Sequence, residues 1–228
     1  MRWLPVCAII ALVLAGPVRA GAWLRGEDTG FLAVTSTMRG PLELQMFETE
    51  TALYGEYGLL ENLTLGVDLN YRDTKSGHGL VFVRLPIGRT DRAWRFAGEL
   101  GLGKHLWQDA WGNQHWVPMA KTAVSVGRGL PTKHGGWINV DTAVEWRNSG
   151  KEPLYKIDGI IGIGLWPKLD GLFKVETAYN DSVGFGWAVT PGLAWRQNER
   201  NRLVLGVEFR EVADWRTTGL TLSFWRDF

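Results

Sequence analysis

Apolar and polar residues alternate along most of the chain, which is the pattern of β-strands that have one apolar face. The clearest stretches are residues 63–71 and 138–146, where apolar side chains occupy every second position. Such stretches recur about every 17 residues, which suits a strand of about ten residues plus a turn. The pattern predicts twelve strands at residues 30–38, 42–57, 63–72, 80–87, 94–106, 116–127, 137–146, 155–165, 172–179, 183–195, 202–211 and 218–228.

This succession of strands predicts an all-β chain that folds as a single up-and-down antiparallel transmembrane β-barrel. About 12 strands fit, with 10 to 14 left open, and the loops on both sides are short. An even number of strands places both chain ends on the same side. Beyond the first residues there is no run of about 18 apolar residues, so strands rather than helices are expected to cross the membrane.

The last ten residues of the chain form an alternating strand that ends on a free aromatic residue. A closed barrel requires its last strand to pair with its first. The ending resembles the C-terminal signal of Gram-negative outer-membrane barrels: Phe228, Phe224, Leu222 and Leu220 fit it, and Arg226 does not. The resemblance implies that the barrel-assembly machinery recognises Phe228 during biogenesis.

The first residues have the pattern of a secretory signal peptide. A short basic start at Arg2 is followed by an apolar stretch over residues 4–16, and Val18 and Ala20 are the small residues of a cleavage site. Cleavage is predicted after Ala20, with Ala22 as the second possibility. Residues 1–20 are therefore a predicted signal peptide, and residues 21–228 a barrel exported to the cell outer membrane.

The amino-acid composition limits the kinds of binding partner that are expected for this chain. Basic and acidic residues balance at 25 and 24, which gives a net charge of +1, so no nucleic acid partner is expected. The single cysteine, Cys7, lies in the predicted signal peptide and excludes a disulfide framework from the mature chain. The 13 tryptophans suit a girdle at the membrane interfaces. The expected partners are outer-membrane lipid and lipopolysaccharide, no cofactor is expected, and the oligomeric state is open.

Charged side chains occupy the strand face opposite the large apolar ones, which predicts that they point into the barrel. A barrel of about twelve strands is wide enough for water, yet Arg and Lys can reach across it. Two interpretations stay open: a narrow polar channel that selects solutes by local charge, or charges that satisfy one another and close the barrel. The predicted lumen-lining residues are Glu48, Glu50, Glu56, Asp68, Arg84, Arg95, Glu99, Lys121, Asp141, Glu145, Lys156, Asp158, Lys174, Glu176, Glu208 and Arg210.

Several of these charges are predicted to pair across neighbouring strands, because an unpaired charge inside a low-dielectric wall is costly. The predicted pairs are Asp68 with Arg84, Glu99 with Lys121, Glu145 with Lys156, and Asp158 with Lys174.

The predicted second strand carries three carboxylates on one face, Glu48, Glu50 and Glu56. Carboxylate oxygens suit hard cations, so a divalent cation site is one interpretation. The other, which we favour because no Asp-rich calcium loop accompanies them, is neutralisation across the lumen by basic residues, namely Arg72, Arg84 or Arg210.

Enzyme chemistry has little support in the sequence. An outer-membrane phospholipase offers an analogy, with a Ser-His-Asn set on its outer face, and His78, with Ser76 in the same turn, is the nearest candidate. His105 and His115 flank one predicted loop, and two histidines without a third ligand are a weak metal site. No residue is therefore predicted to be catalytic or to bind a metal.

The strand–turn–strand unit at residues 54–67 and the stretch at 201–207 resemble a transporter-like group described as "MetA-pathway of phenol degradation" proteins. The resemblance implies an uptake or export channel and carries over no catalytic residue. The sequence thus predicts a passive, narrow channel for small hydrophilic solutes or ions. The alternatives are a closed barrel with a structural or interaction role, and a surface lipid-modifying enzyme.

Overall fold

The computed structural model describes residues 22–41, 47–73, 76–109, 111–147 and 152–228. Their regular structure consists of twelve β-strands, as the alternation predicts. No helix in these ranges is long and apolar enough to cross a membrane. The strands are β1 (Gly30–Gly40), β2 (Glu48–Leu60), β3 (Leu63–Arg72), β4 (Ser76–Pro86), β5 (Trp94–Gln108), β6 (Gln114–Leu130), β7 (Gly136–Arg147), β8 (Leu154–Trp166), β9 (Leu169–Asn180), β10 (Gly184–Arg196), β11 (Asn201–Val212) and β12 (Trp215–Asp227).

The strands form one closed antiparallel barrel in which each strand pairs with its neighbours in sequence and β12 pairs with β1. The backbone N–H of Gly30 donates to the carbonyl of Phe228 at 2.7 Å, and the N–H of Phe228 donates back at 3.0 Å. The start of β1 and the end of β12 therefore meet at one rim, which we call the terminal rim. Closure leaves no unpaired strand edge, which the lipid interior requires.

Several strands extend beyond their predicted bounds at the rim away from the termini. β4 begins at Ser76 rather than residue 80, and β6 begins at Gln114 rather than residue 116. The reason is that backbone pairing continues after the apolar alternation has ended, as in the pairing of Arg72 with Ser76. β2 begins at Glu48, and residues 42–46 of the predicted strand lie outside the described residues.

The two faces of the wall differ as alternation requires. Large apolar side chains are exposed on the outside at mid-strand, with Leu102 70% exposed, and Val81 and Leu100 similarly open. The inner face carries charged and polar groups together with an aromatic cluster of Phe31, Tyr54, Phe82 and Trp225. An exposed apolar belt around a polar interior is the architecture of a transmembrane barrel.

The tryptophans divide between the two faces. Trp116, Trp146 and Trp195 lie near strand ends with about half of each side chain exposed, as a membrane girdle requires. Trp107 and Trp137 depart from the girdle expectation. Trp107 stacks on His115 with ring centroids 4.9 Å apart, and Trp137 is buried inside the barrel. A tryptophan near a strand end can face either the lipid or the lumen, and the register of the strand determines which of the two it faces.

Candidate functional site: the charged lumen

The alternation places all of the predicted lumen residues on the inner face, opposite the exposed apolar belt. They come from eight neighbouring strands, β2 to β9, and from β11. Most of them are buried or half-buried, whereas the apolar residues beside them in sequence are exposed. Whether they line an open channel stays a prediction.

One buried network centres on Arg84 of β4. Its guanidinium donates to Glu56 of β2, to Glu99 of β5 at 2.6 Å, and to the Tyr54 hydroxyl at 2.9 Å. Tyr54 in turn donates to Glu56 at 2.5 Å. All three charged side chains are at most 4% exposed. Such buried charges are stable only when each is paired and hydrogen-bonded, as they are here.

Lys121 of β6 continues this network toward the lumen. Its Nζ lies 3.0 Å from Glu99 Oε1, which confirms the predicted pair in geometry. The lysine side chain remains 16% exposed, whereas Glu99 is 4% exposed. Lys121 is thus the member of the network that solvent in the lumen reaches.

A second network lies toward the rim opposite the termini and centres on Arg39 of β1. The Arg39 guanidinium lies 2.6 Å from Glu208, 2.5 Å from Glu50 and 3.3 Å from Glu48. Arg72 adds a longer contact of 3.4 Å to Glu48. The sequence interpretation named Arg72 among the neutralising groups but missed Arg39, which lies beyond the predicted end of the first strand.

The divalent cation interpretation loses its basis in this arrangement, because Arg39 occupies the space between the carboxylates of Glu48 and Glu50. Glu56 belongs to the separate Arg84 network. Within the described residues no group of three His, Cys, Asp or Glu side chains is placed to hold a metal ion.

A third group of charges lies on β7, β8 and β9. The Glu145 carboxylate lies 2.6 Å from the Arg147 guanidinium and 3.8 Å from Lys156 Nζ. The contact with Lys156 is the predicted pair. Lys156 also lies 3.5 Å from Asp158. Next to them, Lys174 Nζ is 2.9 Å from Glu176 Oε1. Apart from the buried Glu145, these groups are more open to solvent than the Arg84 network.

Two of the predicted pairs are wrong. Arg84 lies opposite Thr64 rather than Asp68, and Asp68 instead contacts His78 Nε2 at 3.2 Å. Likewise, Asp158 lies opposite Glu176, and Lys174 pairs with that glutamate along its own strand. Alternation fixes the face of a residue but not its level along the neighbouring strand. That level depends on the register, which the whole barrel sets.

Three further predicted residues form no ion pair within 4 Å in the described ranges. Arg95 lies on β5 near the terminal rim, and Arg210 lies on β11. Asp141 of β7 accepts a hydrogen bond of 2.6 Å from the Asn139 amide. These charges are therefore balanced only at longer range, which suits a wet interior better than a dry one.

The third alternative, a surface lipid-modifying enzyme, needs a histidine that is hydrogen-bonded to a serine. His78 faces inward beside Asp68, and His105 is buried with Nδ1 2.8 Å from the Gly77 carbonyl. Within the described residues, no Ser or Thr hydroxyl is hydrogen-bonded to a histidine. A serine hydrolase needs such a pair near the lipid headgroups.

The loop between β5 and β6 is organised by Asp109. Its carboxylate accepts hydrogen bonds from the His115 ring at 3.0 Å and from the backbone N–H groups of Trp111 and Asn113. The hydrogen bond from His115, with those from Asn113 and Trp111, lowers the pKa of Asp109 to about 2. His115 is thereby engaged within its own loop rather than with His105.

Residues 22–29, which precede β1, enter the interior of the barrel. Ala22 and Trp23 are buried, and the Arg25 guanidinium lies 2.6 Å from Glu56. The sequence interpretation assigned no role to residues 23–29, which lie between the predicted cleavage site and the first strand. A basic residue and a tryptophan in a short leader carry no periodic pattern, so nothing in the sequence indicates that they are buried.

A cavity of about 390 Å³ opens at the terminal rim. Trp137 lines it, together with Asp170, Arg196 and Arg202. Arg196 Nε donates to Asp170 at 2.8 Å, and Arg202 lies 3.6 Å from the same carboxylate. Two arginines thus share one aspartate at this mouth of the barrel. The sequence interpretation missed all three residues.

Solved structures of other proteins share this architecture. No protein-family model matches the chain, and no curated protein matches it. The solved structure of the NanC porin matches with a TM-score of 0.63 at 12% identity, covering 85% of this chain and 98% of the porin. The fold is that of an outer-membrane β-barrel.

Two further structures extend the comparison. The KdgM porin, solved in complex with disordered oligogalacturonate, has a TM-score of 0.61 at 9% identity and covers 87% of this chain and 99% of its own. Outer membrane phospholipase A from Escherichia coli has a TM-score of 0.51 at 14% identity, with coverages of 89% and 91%. Porins and an enzyme share this fold, so the fold by itself does not determine the activity.

Proposed function

We propose that this barrel is a passive, narrow channel for small hydrophilic solutes or ions. The observation that carries the proposal is the solvent access of charged side chains on the inner face at mid-barrel. Lys174 is 44% exposed and Glu176 is 35% exposed, although both lie near the middle of β9 and point inward. Side chains that filled the lumen would exclude water from these groups.

The small glycine residues on the inner face do not by themselves leave open space in the lumen. Gly101 and Gly162 face inward, but the space beside them is occupied by Leu80 and by Trp137 respectively. The open part of the lumen is expected beside Lys174 and Glu176 on β9, across the barrel from the packed Arg84 network.

The setting of the proposed channel is the outer membrane. The fold shared with two porins and the exposed apolar belt support it. The predicted signal peptide would supply export, and Phe228 at the barrel seam would supply recognition by the assembly machinery. Lipid and lipopolysaccharide are the proposed surroundings. The resemblance to the "MetA-pathway" group supports uptake or export, although no family model matches the chain.

We favour a channel over an enzyme. The porins superpose with higher TM-scores than the phospholipase. His78, the histidine nearest to a hydrolase candidate, faces the lumen rather than the lipid. The closed structural barrel remains the competing function, because the Arg84 network is of the kind that packs a lumen shut.

Single-channel conductance of the purified mature protein in a planar bilayer tests the proposal. Discrete current steps are expected. The variant Lys121→Gln should shift the ion selectivity toward cations, because it removes a positive charge that solvent in the lumen reaches and leaves Glu99 less compensated. Arg89→Gln is the matched control, because Arg89 lies in an exposed turn and pairs only with Asp91 within the described residues.

A silent bilayer that contains folded, heat-modifiable protein would overturn the channel and favour the structural barrel. Current steps whose selectivity is unchanged by Lys121→Gln would remove that residue from the pathway while leaving the channel in place.

A further inference from the structure

The segment that precedes β1 crosses the interior of the barrel. The backbone N–H of Ala22 donates a 2.9 Å hydrogen bond to Asn139 Oδ1 on β7. In the closed strand order β7 lies six places from β1, which is half of the ring. Residues 26–29 form a turn near the seam, where the Thr29 N–H donates to the Gly26 carbonyl at 3.0 Å, so residues 22–25 cover the remaining distance from Thr64 on β3 to Asn139 on β7. Residues 22–29 therefore run from the seam to the opposite wall.

Trp23 is seated in an apolar pocket on that opposite wall. It is 3% exposed and packs with Trp137, against which Ile160 and Leu172 also lie. Gly127 on β6 makes room for it, because a Cβ at that position would come within 2.5 Å of the indole ring. Burial of so large an apolar side chain in a fitted pocket favours the seated segment.

Arg25 holds the middle of the segment near the seam. Its Nε donates to Glu56 at 2.6 Å, and its backbone N–H donates to Thr64 Oγ1 at 2.9 Å. The guanidinium also lies 4.6 Å from the centre of the Phe31 ring. Glu56 is fully buried, so removal of Arg25 would leave its carboxylate with Arg84 as its remaining cation partner. The wall thus carries polar acceptors fitted to the segment.

From these contacts we propose that residues 22–29 form an internal plug that constricts the lumen at the terminal rim and limits the conductance of the channel. The segment occupies the side of the lumen next to β2, β3, β6 and β7. The cavity lined by Trp137 and Arg202 remains open at the same rim. The conductance part rests on the proposed channel function, whereas the seating of the segment does not.

Conductance tests the constriction. The double variant Trp23→Ala/Arg25→Ala removes both anchors, and we expect its single-channel conductance to rise about twofold or more, because the narrowest part of a pore dominates its resistance. A second variant that lacks residues 22–28 should conduct at least as well as the double variant. Arg216→Ala is the matched control, since it removes an exposed arginine that pairs with Glu211 at the rim opposite the plug. Heat-modifiability on a gel shows that each barrel has folded.

Thiol labelling tests whether residues 22–29 are seated against the wall, and this test does not depend on conductance. The only cysteine in the sequence is Cys7, so a new cysteine in the mature chain would be unique. Thr64 is completely buried and bonded to the segment, and Thr64→Cys should react slowly with a soluble maleimide. Adding Trp23→Ala/Arg25→Ala should speed labelling at least tenfold. Ser223→Cys is the control, because Ser223 is buried against Thr35 and should stay unreactive in both backgrounds.

The outcomes separate the two proposals. If the parent conducts and neither the double variant nor the deletion conducts more, the plug is overturned and the channel stands. If no variant conducts but labelling of Thr64→Cys rises as expected, the channel fails and the seating stands. Rapid labelling of Thr64→Cys in the parent background would overturn the seating itself.

Discussion

At the scale of single residues, the interior of this barrel is organised by arginines that each serve more than one carboxylate. Arg84 bridges Glu56 and Glu99, and Arg39 bridges Glu50 and Glu208. The planar guanidinium presents several donors in fixed directions, which suits such bridging better than a lysine does. The stability of the wall therefore depends on a few residues whose loss leaves buried charges.

Replacing Arg84 by Met should lower the free energy of unfolding by about 3–5 kcal/mol, because it leaves Glu56 and Glu99 buried with one cation partner fewer. Urea titration in detergent, followed by tryptophan fluorescence, measures the change. Arg89→Met is the matched control and should shift the free energy by less than about 1 kcal/mol, since its ion pair with Asp91 is exposed. Equal midpoints for the two variants would show that the buried network is not a source of stability.

At the scale of strands, the barrel depends on close approach between neighbours. Gly103 on β5 lies directly against the backbone of β4, because a Cβ there would come within 2.6 Å of Leu80 Cα and would also meet the Gly79 carbonyl. Backbone cannot yield as a flexible side chain does. A glycine is therefore required at this position by contact with the neighbouring strand, not by its own backbone conformation.

Gly103→Ala should destabilise the barrel by about 1–3 kcal/mol through overpacking between β4 and β5. Gly129→Ala on β6 is the control, because nothing lies within 4 Å of its added Cβ, and it should change stability by about 0.5 kcal/mol or less. Urea midpoints of the two variants give the comparison. A Gly103→Ala protein as stable as the parent would mean that β4 moves away at little cost.

At the scale of the whole molecule, the barrel has an apolar outer belt and a charged interior. Insertion into a membrane places the belt in lipid and leaves the charged groups inside the barrel. Leu102 lies at mid-strand on the outer face of β5 and is one of the most exposed apolar side chains of the described residues. A belt of this kind is satisfied by lipid and not by water. The position of the belt along the strands thereby sets the depth of the barrel in the bilayer.

Leu102→Arg should cost about 2–4 kcal/mol of folding free energy in lipid vesicles, because it places a charge near the bilayer midplane. Trp111→Arg, in the exposed loop between β5 and β6, should cost less than about 1 kcal/mol. Reversible unfolding in vesicles measures both. A small cost at Leu102 would indicate that this part of β5 lies outside the hydrocarbon.

The sequence by itself determined the class of fold and the orientation of its side chains. Alternation with period two assigns each residue to a face, so it gave the twelve strands, the outer belt and the inner position of residues such as Lys121 and Glu176. It also predicted the pairs Glu99–Lys121 and Glu145–Lys156, because these side chains lie at similar levels on neighbouring strands. These features depend on local order along the chain.

Only the tertiary structure decided which charges meet and what occupies the lumen. Asp68 pairs with His78 rather than Arg84, because register and strand stagger are set by closure of the whole ring. Arg39 reaches three carboxylates from two other strands. Trp23 and Arg25 enter the barrel from a leader without periodic pattern, since their partners on β2 and β7 come close only after β1 has closed on β12.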